Sequence, residues 1–229
     1  MRVLVFGDTH IPFMRKGYMD FLVAKYQEFK CDTVVMIGDL IDLHRISRHT
    51  KDPSSDSAAS EYESALKQLP IVYKAFPKVK AIYGNHEERY YTQTGEKEVP
   101  PIMLKTIAEL TKSPKGWEWA NEWTIDNVRY FHGTVYQGPQ GHMTALKNSM
   151  KSVVMGHLHT NGGVQYLATP DELVFAMATG CGMDSNSYAA AYAKNLDKKP
   201  IVGCGVVIDG LQAIFLPMNL GSRVKRLIK

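Results

Sequence analysis

The sequence has few cysteines, and none is spaced as in a disulfide framework or a cysteine zinc site. The chain has three cysteines, an odd number, and they form no CxxC motif: Cys31, Cys181 and Cys204. Small domains that depend on disulfides use cysteine far more densely, and structural zinc sites cluster it. We therefore predict three reduced thiols in a cytoplasmic protein.

Long apolar runs, internal repeats and low-complexity tracts are also missing. No stretch approaches the roughly 20 apolar residues that cross a bilayer, and the run at 3–6 is too short for a signal peptide. We expect no membrane association and a single domain over residues 1–229. The net charge of +4 permits an anionic partner without demonstrating one. No pattern indicates an oligomeric state.

The first 90 residues alternate between strand and helix patterns. Short β-rich runs lie at 2–6, 33–37 and 79–83, and segments with helical spacing of apolar residues lie between them at 17–29 and 56–76. This alternation is typical of a parallel sheet with right-handed crossovers.

The later part of the chain indicates further helices and a second sheet. Helices are predicted over 101–112 and 141–149, followed by a buried strand at 152–156. The composition of 44–57 and 182–200 favours flexible segments. We expect two sheets packed face to face with helices outside.

Turn signals indicate how the remaining strands are joined. Residues 117–133 are predicted to form a hairpin that turns at Asp126-Asn127. From residue 164 onward only strand patterns occur, and the last two strands join at Asp209-Gly210. The second half of the chain therefore favours an antiparallel arrangement.

Polar side chains follow five of the predicted strands at the point where each strand ends. The carboxyl ends of parallel strands share one edge, so these side chains are expected to converge. Residues two apart in an extended segment point the same way, so the pairs in DTH and HLH are expected to face one cavity. The candidates are Asp8, His10, Asp39, Asn85, His132, His157 and His159.

The chemistry of this set indicates metal binding. Aspartate, histidine and asparagine bind first-row divalent metals, and the lack of cysteine disfavours a structural zinc site. Seven candidates are too many for one tetrahedral ion and suit two ions that share a carboxylate. Each cluster alone also fits an ordinary turn, a helix cap or a buried histidine, so the prediction depends on all five occurring together.

The ordered motifs DTH, GDLID, GNHE, HG and GHLH, over residues 8–159, resemble the calcineurin-like metallophosphoesterase superfamily. This superfamily includes Ser/Thr phosphoprotein phosphatases, DNA nucleases and small phosphodiesterases. The resemblance implies an α/β fold, a four-layer αββα sandwich of two mixed β-sheets. It also implies a dinuclear metal site at the carboxyl ends of the strands.

The resemblance implies a ligand set for each of two divalent metal ions. Mn²⁺ is the first expectation, with Fe, Zn, Ni or Co as alternatives, because nitrogen and oxygen ligands do not choose among them. One ion is expected on Asp8, His10, Asp39 and His159, and the other on Asp39 (bridging), Asn85, His132 and His157.

The resemblance further implies hydrolysis of phosphate esters by a metal-bridging hydroxide. His86 would donate a proton to the leaving group, and Asp42 would orient its ring. Glu87 and Glu88 are expected to open a helix, where acidic side chains face the positive end of the dipole. We predict a structural role for Glu87 and a solvated position for Glu88.

The substrate class depends on a departure from the family pattern. Leu43 stands where phosphoprotein phosphatases have a phosphate-binding arginine, so we favour a phosphodiesterase or nuclease acting on DNA, RNA or nucleotides. Arg45, Arg48 and Arg89 are candidate substrate-binding residues, since basic side chains suit an anionic backbone. The alternatives are a phosphomonoesterase, including a Ser/Thr protein phosphatase, and an inactive scaffold, which the complete ligand set disfavours.

Overall fold

The computed structural model describes residues 1–47, 56–184 and 199–219. The strands are β1 Arg2–Phe6, β2 Thr33–Met36, β3 Val79–Ile82, β4 Trp117–Ala120, β5 Glu122–Ile125, β6 Val128–Phe131, β7 Val153–Met155, β8 Gly162–Ala168, β9 Leu173–Thr179, β10 Gly203–Ile208 and β11 Gln212–Pro217. The helices are α1 Tyr18–Glu28, α2 Ala58–Ala75, α3 Asn85–Gly95, α4 Ile107–Leu110 and α5 Gly141–Ser149, with 3₁₀ turns at His44–Ile46 and Pro101–Met103.

The first sheet has the strand order β11-β10-β1-β2-β3-β4. Strands β1 to β4 are parallel, and β10 pairs antiparallel with β1. Strands of a sheet that is covered on both faces are apolar on both faces, and β1 has this pattern. Its Val3 and Val5 pack between the two sheets, whereas Leu4 and Phe6 pack under the helices. The predicted strand–helix alternation of the first 90 residues is confirmed.

The second sheet has the order β5-β6-β7-β9-β8. Strands β6, β7 and β9 are parallel to one another, and the outer strands β5 and β8 are antiparallel to their neighbours. The expectation of an antiparallel second half is therefore wrong in part. The crossover through α5 makes β7 parallel to β6, and β10 and β11 return to the first sheet.

Three apolar cores separate four layers. Side chains from both sheets form the middle core, which includes the buried Tyr130 and Phe175. Leu22 of α1 and Leu69 of α2 pack on the outer face of the first sheet, and Leu146 of α5 packs on the outer face of the second. Each fully buried leucine of this kind contributes about 1.5–3 kcal/mol. The αββα sandwich of two mixed sheets is confirmed.

Two local predictions are wrong. The helix expected over 101–112 is interrupted, because Leu104 is extended and Thr106 starts a separate helix through reciprocal hydrogen bonds with Glu109. The hairpin covers only 122–131, with its turn at Asp126-Asn127 as predicted. Residues 117–120 instead form β4, which pairs parallel with β3 in the first sheet.

Candidate metal centre

Every predicted polar cluster lies at the carboxyl end of its strand. Asp8 and His10 follow β1, Asp39 and Asp42 follow β2, Asn85 and His86 open α3 after β3, His132 follows β6, and His157 and His159 follow β7. The strand ends of both sheets thereby meet at one edge of the sandwich. The aspartates, His10 and His132 are buried, and the other members are partly buried.

Four side chains meet in a first group of donors. Nε2 of His159 lies 3.0 Å from Oδ1 of Asp8 and 3.1 Å from Nε2 of His10. Nε2 of His10 lies 3.8 Å from Oδ2 of Asp39. The donor atoms of all four residues lie within 4.8 Å of one another. This is the set that the family resemblance implies for one ion.

A second group shares Asp39 with the first and adds His132 and His157, with donor atoms again within 4.8 Å. Nε2 of His132 lies 3.3 Å from Oδ2 of Asp39 and 2.9 Å from Oδ1 of Asn85. The same Asp39 oxygen thus faces both groups, as a bridging carboxylate must. The other oxygen, Oδ1, accepts a hydrogen bond from the main-chain N–H of His86 at 2.9 Å.

Contacts outside the two groups orient the histidine rings. Nδ1 of His10 lies 2.7 Å from Oδ1 of Asp42, and Nδ1 of His132 lies 2.9 Å from the main-chain oxygen of Ile37. Both acceptors place the ring proton on Nδ1, so the lone pair of Nε2 points into the donor groups. Metal-binding histidines are held in this way.

The backbone reaches these positions through turns, not through extended segments as the sequence suggested. Asp8, His10 and His157 have φ angles of 50°, 47° and 64°, in the left-handed region. Such angles are uncommon for residues other than glycine and occur often at functional sites. The turn sends His157 and His159 to different donor groups of the same site, which share Asp39.

Burial and the neighbouring rings set the charges of the site. Burial raises the pKa of Asp39, but His132 and His86 outweigh it and hold the pKa well below its ordinary value. Burial likewise raises the pKa of Asp42, and hydrogen bonds from His10 and His86 bring it far down. Burial and His132 lower the pKa of His157 to about 4. Ionised carboxylates and a neutral imidazole are the forms that bind metal ions.

The donor set fits two divalent cations. Nε2 of His132 lies 2.9 Å from Oδ1 of Asn85, and Nε2 of His10 lies 3.1 Å from Nε2 of His159. Imidazole nitrogens and carboxylate or amide oxygens therefore converge in both groups. Oxygen and imidazole donors without sulfur suit Mn²⁺, Fe, Co, Ni and Zn alike.

His86 lies beside these two groups and forms a third with His10 and Asp42, whose donor atoms also lie within 4.8 Å of one another. Its Nδ1 is 2.5 Å from the main-chain oxygen of Asp42 and 3.2 Å from the Asp42 carboxylate. Its Nε2 is 3.8 Å from Oδ2 of Asp39. Burial lowers the pKa of His86, but Asp39 and Asp42 raise it above its ordinary value. The contact of Asp42 with His10 was not predicted, and it links His86 to the first donor group.

Glu87 is a structural residue whose exact partners sequence reasoning missed. Its carboxylate accepts hydrogen bonds from the main-chain N–H groups of Asp39, Leu40, Ile41 and Gly84, at 2.8–3.2 Å. It therefore fastens the turn of Asp39 to the start of α3. The signal was present, because an acidic residue at the third helical position often binds back to the helix start. The neighbouring Glu88 is exposed, as expected.

Two glycines allow the turns to approach one another. A β-carbon on Gly84 would collide with the carboxylate of Asp39, and one on Gly156 would collide with that of Asp8. The glycines of the GNHE and GHLH motifs are thus required for close packing around the donor groups.

The predicted substrate-binding arginines are placed differently. Arg45 lies in the 3₁₀ turn after Asp42, and the buried Glu61 accepts hydrogen bonds from its main-chain N–H and from that of His44. Glu61, which sequence reasoning missed, therefore fixes this turn. Arg48 lies outside the described residues. Arg89 lies one helical turn after His86, with Nη2 3.0 Å from Nε2 of His86.

Of the helices in the described ranges, none combines the length and apolarity needed to cross a bilayer.

Comparisons with known proteins give one family match and several distant structures. A metallophosphoesterase from Sphaerobacter thermophilus has 12% identity and a TM-score of 0.49, covering 96% of this chain and 88% of its own. The Pseudomonas putida nuclease MPE has 13% identity and a TM-score of 0.47, and the match covers 94% of this chain and 87% of the nuclease. Vps29 from Entamoeba histolytica has 12% identity and a TM-score of 0.42, and the match covers 96% of this chain and 100% of Vps29. No curated protein matches. The family model described as calcineurin-like phosphoesterase matches residues 1–173.

Proposed function

The chain belongs to the calcineurin-like phosphoesterase family, and on that premise we propose that it is a two-metal phosphoesterase that cleaves phosphodiesters of nucleic acid or nucleotides. The observation that carries the proposal is the shared Asp39. Its Oδ2 faces His10 of one donor group at 3.8 Å and His132 of the other at 3.3 Å. One carboxylate between two groups of imidazole and oxygen donors is the arrangement that a pair of ions requires.

Each ligand has a stated role in this proposal. Asp8, His10, Asp39 and His159 would hold one ion, and Asp39, Asn85, His132 and His157 would hold the other. Mn²⁺ is the ion that we expect. Two bound ions would supply an activated water and would neutralise the charge on the phosphoryl oxygens. Asp42 holds the His10 ring so that its Nε2 faces the ions, and Glu87 fixes the turn that carries Asp39.

His86 supplies the proton for the leaving oxygen. It lies outside both groups that share Asp39, and Asp42 holds its Nδ1, so only Nε2 can face a substrate. The Asp39 and Asp42 carboxylates stabilise the charged ring that a general acid needs.

The preference for diesters comes from position 43. Leucine stands there in place of the phosphate-binding arginine of the phosphoprotein phosphatases. A phosphomonoesterase, including a Ser/Thr protein phosphatase, is the second candidate, and its chemistry uses the same ions and the same acid. The complete ligand set argues against an inactive scaffold.

The test is a substrate panel for protein loaded with Mn²⁺. The panel contains bis(p-nitrophenyl) phosphate, p-nitrophenyl phosphate, single- and double-stranded DNA, and a phosphopeptide. We expect cleavage of the diester and of DNA, with little hydrolysis of the monoester. Strong activity on the phosphopeptide with DNA left intact would contradict the diester preference, and no activity on any substrate would contradict the enzyme itself.

A further inference from the structure

Arg89 reaches three acceptors around the edge of the site. Nη1 donates to the main-chain oxygens of Asp42 at 3.0 Å and of Leu43 at 3.2 Å. Nη2 lies 3.0 Å from Nε2 of His86. The side chain therefore joins α3 to the turn after Asp42, and it covers the nitrogen from which His86 would donate its proton.

Arg89 forms no direct ion pair among the residues that the structure describes. Its hydrogen bonds go to two main-chain oxygens and to the His86 ring, and the nearby Glu61 carboxyl interacts with it only through its charge. The side chain is partly buried. A guanidinium is always charged, and its planar fork matches the oxygens of a phosphate. A partly buried guanidinium that makes no direct ion pair can therefore take an anionic ligand at this place.

The contact with His86 shows what that ligand would have to displace. Nη2 of Arg89 covers Nε2 of His86 at 3.0 Å, and Nδ1 lies 2.5 Å from the main-chain oxygen of Asp42. In this arrangement no oxygen of a substrate can reach Nε2. A phosphoryl oxygen carries negative charge and accepts from arginine more strongly than a neutral ring nitrogen does. An incoming phosphoryl group would therefore take over the hydrogen bond of Nη2.

On the basis of the function proposed above, we propose that Arg89 binds the phosphoryl group of the substrate and, in doing so, releases Nε2 of His86. Nη1 stays on the carbonyls of Asp42 and Leu43, which keep the guanidinium in place. Nη2 moves its hydrogen bond from His86 to a non-bridging phosphoryl oxygen. Leu43 supplies no charge from its side chain, but its main chain holds a guanidinium that arrives from α3.

Steady-state kinetics of Arg89 variants test the binding part. Arg89→Gln and Arg89→Lys, loaded with Mn²⁺, are compared on bis(p-nitrophenyl) phosphate and on a dinucleotide. We expect Arg89→Gln to raise KM by about 10- to 100-fold on both, since a charge-assisted hydrogen bond is lost. Arg89→Lys keeps the charge without the fork, so its KM should be intermediate. The matched control is Arg2→Gln, which removes an exposed guanidinium that also donates to a carbonyl, that of Phe29 at 3.1 Å. Its KM should stay within twofold.

Side-chain ¹⁵N spectra of histidine test the release of His86 without turnover. The Zn²⁺-loaded protein is titrated with inorganic phosphate, and the His86 signals are assigned with His86→Ala. We expect phosphate to shift the Nε2 signal of His86 in the unsubstituted protein. In Arg89→Gln that signal should differ before phosphate is added and should change little afterwards. Equal phosphate-induced shifts in both proteins would overturn the proposal.

The outcomes separate this proposal from the proposed function. If the unsubstituted protein hydrolyses nothing in the substrate panel, the proposed function fails, and the phosphate titration still decides the role of Arg89. If the protein is active and Arg89→Gln changes KM less than twofold, the Arg89 proposal alone is wrong. Should Arg89→Gln fail to fold, as its melting curve would show, Arg89→Lys carries the same comparison.

Discussion

Two charged contacts of equal length lie in very different parts of the molecule. On the surface of α1, Nζ of Lys25 lies 2.7 Å from Glu28, with the two side chains 26% and 56% exposed. In the site, Nδ1 of His10 lies 2.7 Å from Asp42, with exposures of 2% and 4%. Water screens the first pair, so breaking it costs little. Breaking the second leaves a buried group without a partner, which costs several kcal/mol.

The difference extends to the whole of the two regions. The charged side chains on the surface of α1 are hydrated, so they do not need an ion-pair partner. The edge of the sandwich gathers three buried aspartates, Asp8, Asp39 and Asp42, which neighbouring histidine rings keep ionised against the effect of burial on their pKa. Concentrated buried charge that does not serve packing is characteristic of functional sites. Substitutions in the two regions should therefore differ by orders of magnitude in their effect.

Asp39→Asn should have the largest effect, because it removes the negative charge that both donor groups share. We expect the activity to fall by about 1000-fold or more, as several kcal/mol of stabilisation are lost. Metal content, measured by mass spectrometry after dialysis against Mn²⁺, should fall with it. Asp209→Asn is the matched control, because Asp209 is exposed in a turn with a φ angle of 50° that asparagine tolerates. Full metal content and activity in Asp39→Asn would contradict the bridging role.

His86→Ala should have the next largest effect and should separate chemistry from metal binding. Loss of a general acid typically slows turnover by about 100- to 10,000-fold. We expect that slowing for a dinucleotide, whose leaving group needs a proton, and a smaller one for bis(p-nitrophenyl) phosphate. The metal content should stay unchanged. If the variant instead loses an ion, His86 is a ligand and its assignment as the acid is wrong.

Asp42→Asn should weaken metal binding without abolishing it. The substitution replaces the carboxylate that orients His10, and loss of such a partner typically lowers metal affinity by about 10- to 100-fold. Competition with a fluorescent chelator measures the affinity for each ion. Because Asp42 contacts His10 of only one donor group, the second ion should be retained more tightly than the first. An unchanged affinity for both would refute this division.

Glu28→Gln should have the smallest effect and sets the baseline for the surface. Removing an exposed ion pair three residues apart on a helix changes the free energy of unfolding by about 0.3–0.5 kcal/mol. Urea denaturation measures this change, and metal content and kcat/KM should be unaffected. A loss above 2 kcal/mol would mean that surface charge contributes more to this fold than its exposure indicates.

The sequence was enough to predict that the polar clusters meet at one edge, because the signal is local and is repeated in several motifs. A buried strand, a glycine and a polar side chain occur together in GDTH, GDLID, GNHE and GHLH, and parallel strands bring their ends to one edge. Chain direction follows from this pattern for β1 to β3. The roles of individual residues as ligands or acid remain predictions that the experiments above address.

Strand pairing and the hydrogen bonds that support the site could not be predicted from the sequence, because they join residues far apart in the chain. The segment WEWA has the pattern of a hairpin strand, yet it forms β4 and pairs with β3. No signal near it in the sequence indicates which strand it pairs with. Three of the four N–H groups around Glu87, and both carbonyls around Arg89, belong to the turn after β2, more than 40 residues earlier. The left-handed angles at Asp8 and His10 were not predicted either, because residue type favours such an angle only weakly and the surrounding turn decides it.

Anomalous diffraction at the manganese edge from crystals grown with Mn²⁺ tests the central claim most directly. We predict two peaks about 3.5–4 Å apart, with Oδ2 of Asp39 between them. His10 and His159 should bind one peak, and His132 and His157 the other. A single peak, or two peaks that do not share Asp39, would contradict the account.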